Sequence, residues 1–480
     1  MKVAKNYIYN LSYQLLVIVL PIITIPYISR VLGAEGLGLY TLTYTYAQYF
    51  VLFGMLGLSV YSSREVAYVR ENKQKLYKVF WEINILRFIT MGISLVIYLL
   101  LFKTLFSQEY RLLYLTQVLI ILSSLIDISW FFIGLEDFKK VVIRNTTVKI
   151  IGVILIFLFV KNSSQIWLYS LIIGSTQLIG QIVMWIELPS DFRFVLPEKN
   201  NLIEHLKNSF KLFIPQISIN VYTMVDKIML GTLANEAQVG IYDNSQKIIR
   251  LLVTVVTTLA IVTVPKMANL YKMKKYKEFT EYVYKSFSFV SFISFPMTFG
   301  LIGISKYFVP IFYGSGFEEI IPMFYVGSFL MITLGWSSIL GNQVLISIKR
   351  EGKFTIAVTA GAIINVLLNI VLIKKFQGLG TTISSVVAEY TGMFFMLYFL
   401  KDMLSIKKLL KITLKYLFSS IIMFCTILLV SFNLKISASS LIIIIVVGFL
   451  SYLAMMILIK DENLKVIINF IYKRNKNESD

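Results

Sequence analysis

The sequence predicts an all-α integral membrane protein with about fourteen transmembrane helices. Of its 480 residues, 57% are hydrophobic and only 15% are charged, whereas soluble globular proteins carry about 25% charged residues. Many stretches of about 20 residues are almost free of charge, which is the length that a helix needs to cross a hydrocarbon layer about 30 Å thick. These stretches are apolar on all sides and do not alternate, so they favour helices over transmembrane strands.

The predicted spans follow one another along the whole chain. We place them near residues 7–29, 39–62, 80–102, 112–133, 141–160, 165–186, 208–230, 241–264, 284–304, 322–347, 354–373, 379–400, 412–433 and 437–459. The first apolar run is too long for a signal peptide and lacks a small-residue cleavage site, so we expect it to remain as the first helix. No connection is long enough for a folded extramembrane domain. The function is therefore expected to reside within the bilayer.

The distribution of positive charge predicts the orientation. The formal net charge is +20, and most Lys and Arg lie in alternate short loops such as 64–78, 266–285 and 401–415, while the loop at 231–240 has none. An even number of spans with both termini in the cytoplasm satisfies the positive-inside rule. Thirteen or fifteen spans would destroy this alternation. Because membrane topology explains the basic charge, nucleic acid is not an expected partner.

The sequence offers little for metal, redox or nucleotide chemistry. It has a single cysteine, Cys425, inside an apolar run, and a single histidine, His205, in an expected loop. One cysteine cannot form an intrachain disulfide, and one histidine leaves no cluster for zinc. The phosphate-loop pattern G-x-x-x-x-G-K-[ST] is absent from the sequence, which makes ATP hydrolysis by this chain unexpected. We therefore expect no metal site, no cofactor and no catalytic residues.

An internal repeat relates the first and seventh spans. The matched positions are Pro21, Arg30, Leu32-Gly33, Glu35, Gly38 and Tyr40 in the first, and Pro215, Lys227, Leu230-Gly231, Glu236, Gly240 and Tyr242 in the second. Because six spans separate them, both cross in the same direction, which predicts two parallel halves related by a pseudo-two-fold axis normal to the membrane. The expected organisation is a six-helix lobe at 1–200, a second at 201–402, and a helix pair with a cytoplasmic tail at 403–480.

Charged and polar residues within spans indicate a candidate binding site, since a charge in the bilayer core costs from about 2.5 kcal/mol upward. In the eighth span Asp243, Lys247 and Arg250 recur at three- and four-residue spacing and share one helix face. Cations, amides and tyrosines together suit a pyrophosphate attached to sugars. The candidate substrate-binding residues are Arg30, Tyr44, Gln48, Arg87, Lys149, Gln216, Asn220, Lys227, Lys247 and Arg250.

Other intramembrane charges have a different expected role. The candidates for binding a coupling ion are Asp127, Asp226, Asp243 and Glu389. The basic residues expected at the cytoplasmic mouth are Arg64, Arg144 and Lys266. The alternative for neighbouring opposite charges is an internal salt bridge, as for Asp243 with Lys247 or Glu82 with Arg87.

Two segments resemble the Wzx-type polysaccharide flippases. One is Trp130-Phe131-Phe132-Ile133-Gly134-Leu135-Glu136-Asp137-Phe138-Lys139-Lys140 with Ile143-Arg144-Asn145, and the other is Pro26 with Ser29-Arg30-Val31-Leu32-Gly33, Glu35 and Gly36-Leu37-Gly38-Leu39-Tyr40. These flippases form a branch of the MOP superfamily, which also holds the MATE drug exporters and the lipid II flippase MurJ. With the fourteen-helix layout, the resemblance covers essentially the whole chain. A structural explanation of the first segment is a tight turn in which Gly134 permits the bend.

The resemblance implies a cationic cavity lined by the first, second, seventh and eighth spans. It also implies secondary transport, by alternating access, of an undecaprenyl-diphosphate-linked repeat unit to the outer leaflet of the bacterial cytoplasmic membrane, for capsule, O-antigen or a related glycan. Membrane lipid, a polysaccharide polymerase and other assembly proteins are the partners that it suggests. Two alternatives stay open: a MATE-like exporter of a small organic molecule, and a membrane glycan polymerase or glycosyltransferase. The short outside loops argue against an enzyme.

Overall fold

The computed structural model describes residues 2–104 and 110–477, without the side chains at 2–15, 102–104, 214–223, 258–262 and 470–477. All regular elements in these described ranges are helical, which confirms the predicted all-α class. The chain divides into two compact units, Met1–Gly240 and Ile241–Asp480. The expected lobe boundaries at 200 and 402 stay predictions.

The first unit is built from nine α-helices, the last of which continues into the second unit. They are α1 (Lys2–Met55), α2 (Leu58–Val69), α3 (Lys73–Thr104), α4 (Arg111–Leu125), α5 (Ser129–Gly134), α6 (Phe138–Phe159), α7 (Ile166–Ile186), α8 (Lys199–Leu233) and α9 (Glu236–Lys272), with a 3-10 turn at Ser163–Gln165. The second unit adds α10 (Tyr276–Phe312), α11 (Ile320–Gly327), α12 (Leu330–Ser338), α13 (Glu351–Phe399), α14 (Ile406–Ser431), α15 (Ala438–Leu458) and α16 (Glu462–Asn477), with a π-helix at Ile339–Ile346.

Two of the longest helices are interrupted where the sequence predicts a connection between spans. In α1 the backbone leaves helical geometry at Gly33, with φ 69° and ψ 178°, a conformation that glycine adopts without steric cost. In α13 the break is at Gln377, with φ 50° and ψ −126°. A straight helix of 54 residues would be about 80 Å long, far more than one bilayer crossing needs. Each break therefore separates two segments of ordinary spanning length.

Ten helical segments among the described residues are long and apolar enough to cross a membrane. The interrupted helices α1 and α13 each count once in this number, and α8 and α9, which carry the polar faces, are not among the ten. The membrane class is thus confirmed, while the total of fourteen spans stays a prediction.

Aromatic packing explains much of the segment at 130–140. The Phe80 ring of α3 lies 5.5 Å from the Trp130 ring and 5.0 Å from the Phe131 ring, and all three side chains are buried. We expected Gly134 to permit the bend of this turn. That expectation is wrong, because Glu136 takes the left-handed conformation of the turn, with φ 59°. Gly134 is needed for close packing instead, since a Cβ there would lie 2.6 Å from Cβ of Val66 on α2.

Candidate functional site

The two glycines Gly38 and Gly240 approach each other too closely for either to carry a side chain. A Cβ on Gly38 would lie 1.7 Å from the backbone oxygen of Glu236, and a Cβ on Gly240 would lie 2.0 Å from that of Ala34. In both cases the obstacle is the carbonyl four residues before the other glycine. A reciprocal contact of this kind is the pattern expected across a two-fold axis. It supports the predicted repeat, in which these two glycines are matched.

Tyrosines line one face of α1 after its break. The Tyr40 and Tyr44 rings stack at 5.7 Å, and Tyr169 of α7 packs edge-on against Tyr40 at 4.7 Å. Gln48 follows Tyr44 one turn later, and both side chains are half-buried. This face therefore offers aromatic and amide groups, as expected for contacts with sugars. Before the break, Arg30 is exposed, and its Nη1 donates to the Pro26 backbone oxygen at 2.6 Å.

The α8 candidates are only partly described. Asp226 is buried and Lys227 is half-buried, and the Asp226 carboxylate lies within electrostatic range of Tyr49 on α1. Leu42 of α1 fits against Gly231, where a Cβ would lie 2.6 Å from the leucine Cδ2. The predicted Gln216 and Asn220 side chains lie outside the described residues.

Arg87, Asp127 and Arg144 meet at the junction between α4 and α5. Arg87 is 0% exposed, its Nη1 donates to the Asp127 backbone oxygen, and its guanidinium carbon lies 5.4 Å from the centre of the Trp130 ring. The Asp127 carboxylate accepts from the Ser129 backbone nitrogen at 2.8 Å and from the Ser129 hydroxyl, to which Arg144 also donates. These charges are thus engaged in holding a helix junction.

Glu82 and His205 form a buried polar cluster that the sequence reasoning missed. His205 lies in α8 rather than in the expected loop. The Glu82 carboxylate faces His205, and the alternative salt bridge of Glu82 with Arg87 is not found among the described residues. Glu82 is 2% exposed, its Oε2 is 3.3 Å from His205 Nε2, and its Oε1 accepts from Asn201 at 2.8 Å. The Tyr61 hydroxyl lies 2.7 Å from His205 Nδ1. The cluster joins α2, α3 and α8.

Three further predicted cations lie at helix surfaces. Exposed Arg64 has Nη2 3.5 Å from Glu65 and its guanidinium 5.5 Å from the Tyr61 ring centre. Exposed Lys266 has Nζ 4.2 Å from the centre of the Tyr282 ring. Lys149 is half-buried on α6. Arg64 and Lys266 therefore each lie beside a tyrosine ring.

In the second unit, the polar face of α9 changes from buried to exposed. Asp243 is buried, and Lys247 Nζ lies 2.7 Å from its Oδ2, which confirms the salt bridge considered from the sequence. Arg250, one turn further, is exposed, and among the described residues its guanidinium has no hydrogen bond or ion pair. Glu389 is half-buried on α13. As far as the described residues are concerned, the Arg250 guanidinium is therefore open to an anionic ligand.

Two further buried polar groups in this unit were missed. Gln343 lies in the π-helix, and its Nε2 donates to the Thr263 hydroxyl of α9 at 2.5 Å. π-Helical turns are rare in proteins, but those that occur are often found at functional sites. Asn365 and Asn369 are fully buried one turn apart on α13, with 3.3 Å between Asn369 Nδ2 and Asn365 Oδ1. Amides at four-residue spacing inside an apolar span were the available sequence signal. No metal-binding group of three or more His, Cys, Asp or Glu occurs within the described ranges.

Comparison with known proteins identifies the family. Residues 3–271 match the family described as polysaccharide biosynthesis protein, which is more than half of the chain. The chain belongs to the polysaccharide biosynthesis protein family. A protein named as an O-antigen transporter in Escherichia coli (strain K12) is 22% identical over 403 residues, or 83% of this chain and 96% of that protein. A protein of the same name in Shigella dysenteriae is 26% identical over 233 residues, or 48% of this chain and 58% of that protein.

Solved structures show which fold this polysaccharide biosynthesis protein shares. The lipid II flippase MurJ, in an inward closed conformation, matches with a TM-score of 0.73 and 18% identity over 95% of this chain and 99% of that chain. An inward-facing multidrug resistance MATE family transporter of the MOP superfamily matches with a TM-score of 0.61 and 13% identity over 84% and 99%. The family match and the O-antigen transporter relatives confirm the resemblance to polysaccharide transporters, and the solved structures show a fold shared with MurJ and a MATE transporter. The matched proteins are named as transporters and flippases, in agreement with the expectation that the chain is not an enzyme.

Proposed function

We propose that the protein is a flippase that moves an undecaprenyl-diphosphate-linked oligosaccharide from the cytoplasmic to the outer leaflet of the bacterial cytoplasmic membrane. The product serves O-antigen, capsule or a related surface glycan, together with a polymerase and other assembly proteins. The observation that carries the proposal is exposed Arg250 on the polar face of α9, in a member of the polysaccharide biosynthesis family. The O-antigen transporters that the chain resembles support the same substrate class.

The position of Arg250 suits an anionic lipid headgroup. It lies 14 residues after Glu236, the first residue of α9, or about 21 Å along the helix. A cation at such depth is costly in hydrocarbon and is normally retained for a ligand, a partner or a water-filled path. Guanidinium groups bind phosphate oxygens through two parallel hydrogen bonds, more specifically than an ammonium does. A diphosphate attached to a lipid carries the complementary charge.

The sugars of the substrate need a different kind of surface. The stacked rings of Tyr40 and Tyr44 and the amide of Gln48 on α1 supply flat aromatic faces and hydrogen bonds. Transport by alternating access is supported by the matched glycine contact of Gly38 with Gly240 and by the prolines Pro21 and Pro26 within α1, where helices bend readily. The proposal includes six-plus-six-plus-two spans and cytoplasmic termini, supported by the positive-inside distribution.

The energy source proposed is a proton, a sodium ion or the membrane potential. Of the four carboxylates considered, Asp127 is engaged with Ser129 and Asp243 with Lys247. All four carboxylates, including Asp226 and Glu389, stay candidates for binding the coupling ion. The membrane potential supplies about 2.3 kcal/mol per elementary charge per 100 mV, enough to move a charged intermediate across part of the bilayer.

The test compares cation variants in cells that lack the chromosomal gene. Arg250→Ala should lower the amount of outer-leaflet lipid-linked oligosaccharide at least tenfold, which corresponds to about 1.4 kcal/mol, within the range of a hydrogen-bonded charge. Arg250→Lys should retain part of the activity because it keeps the charge. Lys227→Ala should also reduce transport. The matched control is Lys272→Ala, which removes an exposed cation from the end of the same helix α9.

Two outcomes would contradict the proposal. Full export by both Arg250→Ala and Lys227→Ala, at normal protein levels, would exclude a cationic binding path. Accumulation of a small organic compound in cells lacking the gene, with unchanged lipid-linked oligosaccharide in the outer leaflet, would favour a MATE-like exporter instead.

A further inference from the structure

A cleft of about 580 Å³ opens between α6 and α7 in the first unit. One end of it is formed by the segment that resembles the polysaccharide flippases, whose basic residues the transport proposal does not use. The other end is apolar. Its apolar lining residues are Ile143, Val148, Ile151, Ile179, Val183 and Met184. The cleft is thus amphipathic along the helix axis.

The apolar walls of the cleft face outward from the unit. Ile143 is 49% exposed and Ile179 is 58% exposed, although both lie on helices that are long and apolar enough to cross a membrane. Gly180 forms the floor, since a Cβ there would lie 2.5 Å from Cγ2 of Val148 and 3.1 Å from Cδ of Arg144. Walls of this kind bury their apolar surface when a hydrocarbon chain occupies the groove.

The mouth of the cleft attracts anions. It carries the cations Lys139, Lys140 and Arg144 and the carboxylates Asp137 and Glu187. Lys140 Nζ lies 3.0 Å from Glu187 Oε2, Arg144 donates to the Ser129 hydroxyl, and Lys139 is exposed. The mouth therefore has one more cation than anion.

The start of α6 adds to this attraction. The 22-residue helix begins at Phe138, directly at the mouth. Its N-cap residue is Asp137, whose side chain makes no capping hydrogen bond. The first backbone N–H groups of a helix have no acceptor within the helix, and together with the helix dipole they favour a phosphate. The cations of the mouth thus lie at the start of a helix, beside an apolar groove.

We propose that this cleft binds a phospholipid with an anionic headgroup, with the phosphate at Lys139, Lys140 and the start of α6 and one acyl chain along Ile143, Ile151 and Ile179. Charge complementarity at the mouth selects an anionic headgroup over a zwitterionic one, because basic pockets between membrane helices bind such headgroups. The apolar walls select a lipid over free phosphate. With the orientation given under Proposed function, the lipid belongs to the cytoplasmic leaflet, but the binding site itself does not depend on the transported substrate.

The experiment uses the purified full chain in mixed micelles and a phosphatidylglycerol that carries a photoreactive group on its acyl chain. Labelling, followed by peptide mass spectrometry, should fall on α6 and α7 between residues 143 and 183. Unlabelled phosphatidylglycerol should compete, whereas phosphatidylcholine and inorganic phosphate should not. Lys139→Gln with Lys140→Gln should reduce labelling roughly tenfold, a loss of about 1.4 kcal/mol, because the two lysines are two of the three cations at the mouth.

A second variant tests the groove without changing charge. Val183→Trp places a large ring in the cleft from an exposed position, where it does not disturb the buried core, and should abolish labelling of α6. The matched control is the triple variant Lys272→Gln, Lys274→Gln and Lys277→Gln, which removes exposed charges elsewhere and should label like the wild type. The proposal would be overturned by equal labelling with a phosphatidylcholine probe or by displacement of the label by inorganic phosphate. Wild-type labelling of both the Lys139→Gln, Lys140→Gln variant and Val183→Trp would also overturn it. Transport assays do not enter this test, so its failure leaves the proposed function standing.

Discussion

Two regions carry charged residues of the same types, and these residues make different contacts. At the α4–α5 junction of the first unit, Arg87 is fully buried over Trp130 and donates to the Asp127 backbone. On α9 of the second unit, Asp243 and Lys247 pair with each other while Arg250, one turn on, is exposed. A charged residue in an expected span can thus be bonded within the fold, as Arg87 is, or be exposed, as Arg250 is. Sequence position alone does not distinguish the two cases.

The largest expected effect separates the two arginines by stability. Arg87→Ala should lower the free energy of unfolding by about 3 kcal/mol, because it leaves a cavity beneath Trp130 and removes a buried hydrogen bond. Arg250→Ala should change it by less than about 0.5 kcal/mol, as surface substitutions usually do. Denaturation of both variants in the same detergent, followed by circular dichroism, measures the difference.

Arg87→Met is the control for the first region. Methionine fills the space without a charge, and the Asp127 oxygen keeps its hydrogen bond from Trp130 Nε1 at 2.9 Å. Arg87 donates to a backbone oxygen, so its replacement by an apolar side chain of similar volume does not break a hydrogen-bonded ion pair, and we expect near-normal stability and normal export. A stable Arg87→Met protein that exports nothing would show that Arg87 contacts the substrate, and the contrast between the regions would fail.

A smaller effect is expected from the Glu82–His205 cluster. Glu82→Gln should cost about 2 kcal/mol, the range for a hydrogen bond to a charged group. Because Glu82 and His205 act on each other, the double variant with His205→Gln should cost little more than either change alone. A double-mutant cycle on unfolding free energies measures this coupling. Strict additivity would mean that the two side chains stabilise the fold independently.

The ion pair of the second region should contribute less. The Lys247 side chain is 40% exposed, and exposed pairs contribute from about 0.2 to 1 kcal/mol. Lys247→Gln, which can still donate to Asp243, should therefore cost about 0.5 kcal/mol at low salt and less at high salt. Unfolding measured at two ionic strengths provides the test. A loss of stability as large as that of Arg87→Ala would show that the charges of the two regions stabilise the fold equally.

The smallest effect concerns pH at the surface of the first unit. Lys73, 2.6 Å away, lowers the pKa of Asp191 through a hydrogen bond. Since the folded-state pKa lies below the unfolded one, the stabilisation is present above the ordinary aspartate pKa of about 3.9 and is lost as the pH falls through the lower folded value. The difference in thermal midpoint between wild type and Asp191→Asn should therefore shrink on acidification below about pH 4. A difference that stays constant would exclude the pair as its source.

The sequence predicted the helical membrane class because hydrophobic length is a local property. It also predicted the pairing of Asp243 with Lys247, since residues four apart meet on one helix face. It did not predict Glu82 with His205, which are 123 positions apart and meet only after α3 packs against α8. Gly134 shows the same limit. Its presence signalled a turn, but its actual constraint comes from Val66 on another helix.

The contact of Gly38 with Gly240 restricts how this chain can change during evolution. Most steric conflicts can be relieved by a smaller side chain at the other position, but here both obstacles are main-chain carbonyl oxygens, of Glu236 and Ala34. A second-site substitution cannot shorten a carbonyl. Each glycine can therefore be replaced only if a helix moves as a whole, so we expect this pair to be retained while the residues around it change.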